Sequence, residues 1–401
     1  MNVQRQIYLD HNATTACDPA VVEAMLPFFG AEYGNPASPH LMGKRASAAC
    51  NVAREQVAEL FNCRAGDVVF TSGATESNNT VLFGLASTPD CRRTLVTSPV
   101  EHKSILGPCE ELRARGHHVA ELPVGADGRV DVAAAAELID FRTTLVTIQA
   151  ANNEVGVLQP IQEIADLAHA RGALFHCDAA QLIGKLPLPN NLAFADYCSI
   201  SAHKMYGPKG IGALLIRGAA ASHALKAVYH GGGQEGGLRP GTLNVPAIVG
   251  FGQACHLVRR QLLEDIERIS GLRSAFECAL KKELPECRIN AVLSPRLPGT
   301  SSITIPGVPG TMLISNLRHI CIGEGSACSS GAMEPSYVLL AMGHSRDDAE
   351  CTVRVTFGRK NTPQDADEAA TAIAHAARQL IECLGHGDSL TKLDASWGMG
   401  R

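Results

Sequence analysis

Short apolar runs alternate with helical patterns along the first two-thirds of the chain. Apolar and β-branched residues predict strands at residues 68–71, 94–98, 145–150, 174–178, 196–200 and 211–216. Helical periodicity predicts helices at residues 43–61 and 161–171. Because strands that alternate with helices or long connections form mostly parallel sheets, the pattern predicts an α/β fold of that kind.

The last third of the chain has a different pattern. A long helical stretch at residues 249–284 leads into a region with a Pro/Gly-punctuated strand at 300–305 and a terminal helix. The segment after residue 384 has the pattern of a frayed tail. A chain of 401 residues can bury a sizeable core, and this change of pattern predicts two domains.

Candidate polar residues recur just beyond the predicted strands. They are Thr75, His102, Asn153, Asp178 and Lys204. Open α/β sheets bind ligands at the carboxyl ends of their strands, so the fold predicts that these distant residues meet at one edge. This shared location is the main argument from the residues themselves for a functional site.

Lys204 lies in the segment Ser-Ile-Ser-Ala-His-Lys-Met-Tyr-Gly-Pro-Lys-Gly, directly after a predicted buried strand. Partial burial and a nearby cation lower the pKa of an amine, which makes it a usable nucleophile towards a carbonyl carbon. An ordinary surface lysine in a strand-to-loop turn is the alternative.

The segment Ser72-Gly-Ala-Thr75 follows another strand where a helix begins. Small residues, hydroxyls and free N–H groups at a helix start bind phosphate. The alternative is a simple helix N-cap by Ser72 or Thr75. The segment has neither the P-loop pattern nor the dinucleotide-binding glycine pattern.

Asp178 and His102 each have a functional and a structural interpretation. A carboxylate at the end of a buried strand needs a cationic partner, such as a protonated pyridine nitrogen, or it caps a helix. A histidine just past a strand can stack on a flat ligand or move a proton, or it is an ordinary loop residue.

Cysteine is frequent in this chain, but one residue is distinctive. The 14 cysteines contain no Cys-x-x-Cys pair, which excludes a zinc knuckle and a small disulfide framework. Most, such as Cys198 and Cys255, have apolar neighbours and are predicted to be reduced core residues. Cys328 lies among Gly, Ala and Ser, which indicates an exposed nucleophile. Cys321 is either a resolving thiol or a buried strand residue.

Two further features concern ligands. Residues 230–244 form a glycine-rich segment with Gln, Glu, Arg, Thr and Asn, a composition too varied for a low-complexity linker. Arg354 lies in an otherwise apolar strand, and a buried guanidinium requires a carboxylate from the protein or from a substrate.

The charge balance narrows the class of protein. A formal net charge of −5 and a pI near 6.3 argue against a protein that coats nucleic acid. No apolar stretch approaches the length of a membrane span, and the first ten residues do not resemble a signal peptide. The expectation is therefore a cytoplasmic protein with no membrane partner, no direct nucleic-acid partner and no metal site.

Six segments in family order resemble the NifS/IscS-like cysteine desulfurases, pyridoxal-phosphate enzymes of the class V aminotransferase group. They are residues 70–79, 101–104, 152–156, 201–210, 231–242 and 325–335. The resemblance covers residues 8 to about 359. It implies the fold type I architecture: a large domain (15–257) with a mostly parallel seven-stranded sheet, and a smaller α+β domain (1–14 and 258–401). The smaller domain would carry the cysteine loop at about 321–335.

The resemblance also implies roles for matching positions. Lys204 would hold pyridoxal 5'-phosphate covalently and move the substrate Cα proton, while His102 would stack on the ring and assist. Asp178 would pair with the ring nitrogen and Gln181 with the phenolic oxygen. The phosphate would be bound by Ala74, Thr75, Ser201 and His203, joined by Thr242 from the other subunit of a homodimer. Asn153 and Arg354 would bind the carboxylate of L-cysteine, and Cys328 would take its sulfur as a persulfide, leaving alanine.

Two other kinds of protein fit the same sequence features. A selenocysteine lyase shares the scaffold, and a non-catalytic sulfur-carrier or interaction protein could be built on the same fold. The sulfur acceptor would be a protein of iron–sulfur cluster assembly or of thio-modification. The departures from the family pattern are modest: His11 stands where Asn is frequent, and Cys177 stands where Thr or Val is commoner.

Overall fold

The computed structural model describes residues 5–87, 94–324 and 334–394, with side chains up to residue 384. Cys328 lies outside the described residues. The strands are β1 (Ile7–Tyr8), β2 (Val68–Thr71), β3 (Thr94–Thr97), β4 (His118–Glu121), β5 (Thr143–Gln149), β6 (Leu174–Asp178), β7 (Tyr197–Ser201), β8 (Gly212–Ile216), β9 (Arg288–Ile289), β10 (Thr300–Thr304), β11 (Ile320–Cys321), β12 (Gly323–Glu324) and β13 (Thr352–Thr356).

Twelve α-helices lie within the described ranges. They are α1 (Pro19–Met25), α2 (Leu41–Leu60), α3 (Ala74–Ala86), α4 (Lys103–Ala114), α5 (Val132–Leu138), α6 (Ile161–Ala170), α7 (Gly218–Ala224), α8 (Val245–Glu283), α9 (Gly310–Asn316), α10 (Tyr337–Ala341), α11 (Arg346–Glu350) and α12 (Pro363–Asp394). Short 3₁₀ turns occur at Leu26–Phe29, Ala65–Asp67, Pro189–Leu192, Ala202–Lys204 and Gln234–Gly237.

The main sheet has seven strands in the order β2-β8-β7-β6-β5-β3-β4. Only β8 runs antiparallel to its neighbours, β2 and β7. The carboxyl ends of β2, β7, β6, β5 and β3 therefore lie at the same edge. The predicted α/β fold with a mostly parallel seven-stranded sheet is confirmed.

Successive strand residues contribute to apolar clusters on opposite faces of this sheet. On one face Phe70 and Phe175 pack with Phe251 of α8. On the other face Leu145 and Tyr197 pack with residues of α3 and α4. Both faces are thus covered by helices, which is why the strands read as continuous apolar runs.

A smaller antiparallel sheet, β12-β13-β10-β9, lies elsewhere in the chain, and β1 pairs with β11 in parallel. Its apolar cluster joins the N-terminal Ile7 to Phe276, Val353 and Ile373. The residues of this cluster come from the two ends of the chain. The domain division at residues 14 and 257 stays a prediction, with which this distribution of buried residues agrees.

The predicted elements differ from the observed ones mainly at their ends. The long helix expected at 249–284 begins earlier, at Val245, because Asn244 accepts a hydrogen bond from the Ala247 N–H and Pro246 occupies the first turn. The short strands β1, β9, β11 and β12 have two residues each and carry too little pattern to be predicted.

Candidate active site

A cavity of about 470 Å³ opens at the carboxyl edge of the main sheet. Its volume lies in the range of sites that hold small organic ligands. Nine of the predicted site residues line it: Ala74, Thr75, His102, Asn153, Asp178, Gln181, Ser201, His203 and Lys204. The fold therefore brings residues together that are up to 130 positions apart (204 minus 74).

Lys204 ends the 3₁₀ turn that directly follows β7. Its Nζ donates hydrogen bonds to the carbonyl oxygens of Asn12 at 2.6 Å and Ala13 at 2.8 Å. Burial, reinforced by the positive charge of Arg354, lowers the pKa of Lys204 to about 8. About a tenth of this amine is then unprotonated at pH 7 and about half at pH 8, and the unprotonated form is the one that attacks a carbonyl carbon.

The backbone after Lys204 is held in an unusual conformation. Tyr206 has a φ of 65°, which a bulky residue adopts only when its surroundings enforce it. Its N–H donates to the Thr15 hydroxyl at 2.8 Å, and its hydroxyl accepts from the Arg359 N–H at 2.7 Å. The Arg359 guanidinium also lies 4.2 Å from the centre of the ring. These contacts fix the segment that carries the lysine.

Asn12 connects the parts of the site, and it was not among the residues predicted from the sequence. Its side chain is buried and donates to the Asn153 carbonyl and the Thr300 hydroxyl, both at 3.0 Å. Its own carbonyl accepts from Lys204 and from Gln181 Nε2. The sequence signal was the amide and hydroxyl side chains of residues 12–15, which follow an apolar entry.

The start of α3 forms a site suited to an anion. Gly73 is the N-cap, has a φ of 153°, and provides no side chain to cap the helix. Capping by Ser72 or Thr75, the alternative interpretation, is therefore not observed. The Thr75 side chain and those of Ser201 and His203 border the same cavity. Uncapped N–H groups with neighbouring hydroxyls are a typical phosphate site.

His203 is oriented by Thr14, whose hydroxyl lies 3.0 Å from its Nδ1. Burial, together with the charges of Lys204, Lys209 and Lys185, lowers the pKa of His203 to about 4. The imidazole is thus neutral near pH 7 and acts as a hydrogen-bonding group. Lys209 also lines the cavity, a residue that the sequence reasoning did not single out.

The Asp178 carboxylate lies at the end of β6 and is 6 % exposed. One oxygen accepts from Asn78 Nδ2 at 2.8 Å and the other from the Ala180 N–H at 3.0 Å. No helix follows it, so it caps a turn. A carboxylate oxygen accepts more than one hydrogen bond, and Asp178 can therefore also bind a cationic N–H in the cavity.

His102 is the N-cap of α4, and its Nδ1 accepts a hydrogen bond from the Ser104 N–H at 3.1 Å. This bond places the proton of the neutral ring on Nε2. The ring is exposed at the cavity, but the surrounding protein still restricts its hydration. That desolvation lowers the pKa of His102, with Lys204 acting in the same direction and Asp178 opposing it.

Arg354 is buried in β13 and does not line the cavity. Its Nη2 lies 2.6 Å from Asp10 Oδ1, and its Nη1 donates to the Asn153 carbonyl at 3.0 Å. The carboxylate partner expected from the sequence is therefore supplied by the protein. Arg354 Nε and Asn153 Oδ1 are buried and have no hydrogen-bond partner within the described residues.

Two buried glutamates lie behind the site and were not predicted. Burial raises the pKa of Glu101 to about 8 and that of Glu154 to about 7. Glu101 precedes His102, and Glu154 follows Asn153. Glu154 accepts a hydrogen bond from Ser336, just after the cysteine segment, and so joins the site to the second part of the chain.

Thr242 is exposed and does not line the cavity of its own chain. The glycine-rich segment before it is attached to the main sheet through Glu235, whose carboxylate pairs with Arg54. A second ion pair joins Arg239 to Glu76 in the first turn of α3. The segment is therefore a positioned loop, in agreement with its interpretation as something other than a linker.

The cysteines show no disulfide among the twelve in the described ranges. Cys198 and Cys255 are buried as predicted, but only six of the twelve are, so the expectation that most are core residues is too broad. Cys321 is half-buried at the end of β11. The described ranges contain no cluster of three or more potential metal ligands and no helix able to cross a membrane.

The donor set of the cavity fits pyridoxal phosphate. The α3 start with Thr75 and Ser201 suits a phosphate, Asp178 suits a protonated ring nitrogen, and an amine with a lowered pKa suits an aldehyde. His102 provides a flat ring at the same cavity. All these groups face one space of sufficient volume.

Comparisons with known proteins agree with this interpretation. The family model "Aminotransferase class-V" matches residues 7–368. The chain is 43% identical over 378 residues to "Cysteine desulfurase IscS" of Anaeromyxobacter sp. (strain K), covering 94% of this chain and 93% of that protein. It is 41% identical to "Cysteine desulfurase" of Mus musculus, covering 95% and 83%. A solved structure titled "NIFS-LIKE PROTEIN" superposes with a TM-score of 0.86 at 36% identity, covering 92% and 98%.

Proposed function

The chain belongs to the class V aminotransferase family, and we propose that it is a pyridoxal-phosphate-dependent cysteine desulfurase. In this function it converts L-cysteine to L-alanine and transfers the sulfur to an acceptor. The observation that carries the proposal is the meeting of Lys204, Asp178 and His102 with the anion site in one cavity. The relatives named cysteine desulfurase support the choice of substrate.

The protein groups orient the reactants and move protons. When bound, pyridoxal phosphate supplies an electron sink for the substrate Cα. Lys204 would hold the cofactor, and its amine, when free and neutral, would take the Cα proton, a role for which a pKa of about 8 is suited. Asp178 would keep the ring nitrogen protonated, and His102 would lie against the ring and assist proton transfer.

The remaining predicted residues have binding roles in the proposal. Ala74, Thr75, Ser201 and His203 hold the phosphate, and Gln181 binds the phenolic oxygen. Asn153 and Arg354 bind the carboxylate of L-cysteine. Arg354 does not line the cavity itself, and its link to the site is the hydrogen bond from Nη1 to the carbonyl of Asn153, which does line it.

Cys328 is proposed as the sulfur-accepting nucleophile. Its thiolate attacks the sulfur of bound cysteine, so that an S–S bond forms as the substrate C–S bond breaks. The carbon fragment keeps the electron pair and takes a proton, and it leaves as alanine. Described residues at the two ends of the cysteine loop support the role, because Gly323 pairs with Arg354 and Ser336 contacts Glu154.

The working form would be a homodimer in the cytoplasm in which Thr242 of each subunit joins the phosphate site of the other. Its exposed position on a loop held by ion pairs supports this role. The persulfide would pass to a protein acceptor, either an iron–sulfur scaffold or a thio-modification protein. The acidic net charge favours a protein acceptor over direct contact with nucleic acid.

The test is alanine release from L-cysteine by the wild type, Cys328→Ala and Lys204→Ala. The proposal predicts activity in the wild type only, while Cys328→Ala remains yellow with bound cofactor. If Cys328→Ala releases alanine at the wild-type rate, Cys328 is not the sulfur acceptor. Retained turnover of selenocysteine alone would instead identify a lyase, and a protein that binds no cofactor would be a non-catalytic carrier.

A further inference from the structure

A second lysine lies beside Lys204, and the proposed function does not use it. Lys185 follows β6 in a turn that packs against the segment carrying Lys204. A Cβ atom added at Gly184, whose φ is 72°, would lie 2.5 Å from the Met205 Cβ, so only glycine permits this approach. The close packing brings the Lys185 side chain next to Gln181, which lines the cavity.

Lys185 Nζ donates to two amide oxygens, Asn12 Oδ1 at 2.7 Å and Gln181 Oε1 at 2.5 Å. The orientation of both amides follows from simple chemistry. Asn12 Nδ2 donates to the Asn153 carbonyl, and Gln181 Nε2 donates to the Asn12 carbonyl at 2.9 Å. Because a carbonyl only accepts, each amide must turn its nitrogen towards that carbonyl and its oxygen towards Lys185.

Flipping the Gln181 amide would lose its contact with the Asn12 carbonyl, because two oxygens that only accept would then face each other. The amide oxygen would then face the Asn12 carbonyl, and the amide nitrogen would face the Lys185 amine. Gln181 also lines the cavity. Its nitrogen carries two hydrogens, of which one goes to Asn12, and the other remains available for an acceptor in the cavity.

We infer that Lys185 is a positioning residue that fixes the Gln181 amide with its second N–H available to the ligand. The inference rests on the proposed function, in which that ligand is pyridoxal phosphate and the acceptor is its phenolic oxygen. Lys185 acts through Gln181 and does not itself bind the cofactor.

An amine is well suited to this position. Burial lowers the pKa of Lys185, the charges of Lys204 and Arg354 lower it further, and Asp10 partly offsets them. A protonated amine has three hydrogens and a neutral amine has two, so both forms donate to both oxygens. Lys185 therefore holds Gln181 without placing a permanent second positive charge next to Lys204.

The experiment follows the visible absorbance of the protein loaded with pyridoxal phosphate as a function of pH. A donor on the phenolic oxygen withdraws electron density and lowers the proton affinity of the conjugated nitrogen. Lys185→Met is therefore expected to raise the pH midpoint of the absorbance change by roughly half a unit to one unit. A shift of this size corresponds to the free energy of one hydrogen bond. Gln181→Leu should raise it equally, and the double variant should raise it no further.

The outcomes separate failure of the inference about Lys185 from failure of the proposed function. A shift in Gln181→Leu with none in Lys185→Met overturns the inference and leaves the proposed function intact. No shift in either variant also overturns it, because Gln181 then donates nothing. Failure of the wild type to bind the cofactor removes the proposed function itself. If Lys185→Met does not fold, Lys185→Gln retains a polar group but is one bond too short to reach both oxygens, and the same shift is expected.

Discussion

The Glu235 carboxylate accepts a hydrogen bond from the Phe70 N–H at 2.7 Å, although Glu235 lies 165 residues further along the chain. Phe70 belongs to β2, the edge strand of the main sheet. Arg54 pairs with the same carboxylate and donates to the Val68 carbonyl at 2.5 Å. One ion pair thus satisfies backbone groups on the open side of this strand and attaches the glycine-rich loop.

We expect Glu235→Ala to lower the free energy of unfolding by about 3 kcal/mol, because it leaves Arg54 and an edge N–H without their partner. The Glu235 side chain is 2% exposed and that of Arg54 is 17% exposed, so water does not replace the lost contacts. Urea unfolding at fixed protein concentration measures the change. Arg54→Ala should lower the free energy of unfolding by a similar amount. The double variant should lower it by less than the sum of the two single changes.

The matched control for this pair is Arg259→Ala. Arg259 contacts Glu59 on the surface, where the two side chains are 47% and 57% exposed. Loss of this exposed pair should lower the free energy of unfolding by less than about 1 kcal/mol. Equal effects at the two pairs would show that burial of Glu235 has no energetic role.

The lowered pKa of Lys204 predicts the pH dependence of cofactor capture. The cofactor-free protein should react covalently with pyridoxal phosphate at a rate that rises with pH and levels off above about 8, because the neutral amine is the nucleophile. Borohydride reduction followed by mass determination measures the attached cofactor. Lys204→Ala should capture none, and Lys226→Ala, which removes an exposed lysine, should behave as wild type. A midpoint near 10.5 would mean that burial does not perturb this amine.

The sequence predicted the residues that follow strands and not those that reach the site from elsewhere. Thr75, His102, Asp178 and Lys204 could be placed together because parallel strands align their carboxyl ends, a rule that needs no tertiary detail. Lys185 could not be predicted in this way, because its role depends on the close approach of the turn at Gly184 to Met205.

Asn12 and Asp10 were missed for a related reason. Asn12 bonds Lys204 across 192 positions and Thr300 across 288, and no local pattern encodes such contacts. Asp10 was likewise not identified as the partner of Arg354, because an arginine in an apolar strand indicates a carboxylate without saying which one. The boundaries of the two-residue strands escaped prediction because they have no periodicity.

Asn12→Ala tests the central position of that side chain. The change removes the buried bond to the Thr300 hydroxyl and two half-buried bonds, to the Asn153 carbonyl and from the Lys185 amine. We expect the free energy of unfolding to fall by roughly 2 to 3 kcal/mol, the cost of leaving buried polar groups unpaired. Asn316→Ala is the control, since among the described residues that exposed amide bonds only within its own helix, and it should change stability by less than about 0.5 kcal/mol. A small effect of Asn12→Ala would indicate that water replaces its contacts.

Glu101 predicts how stability depends on pH. One carboxyl oxygen accepts from the Gln149 N–H and the Ser98 hydroxyl, both at 3.0 Å, while the other is buried without a partner in the described structure. Burial raises the pKa of Glu101 from 4.5 to about 8, and the nearby charge of Asp178 acts in the same direction. Between these two values the folded protein binds more protons than the unfolded chain.

The free energy of unfolding should therefore contain a contribution from Glu101 that is complete below about pH 4.5 and is lost as the pH rises to about 8. Glu101→Gln keeps the shape of the side chain and cannot ionise. We expect it to match the wild type at pH 5 and to exceed it at pH 8.5 by an amount on the order of a few kcal/mol. Urea unfolding between these pH values measures the difference. The control is Glu137→Gln at an exposed position, for which the difference in the free energy of unfolding from the wild type should not vary with pH in this way. If the difference for Glu101→Gln is also the same at both pH values, Glu101 is ionised in the folded protein throughout.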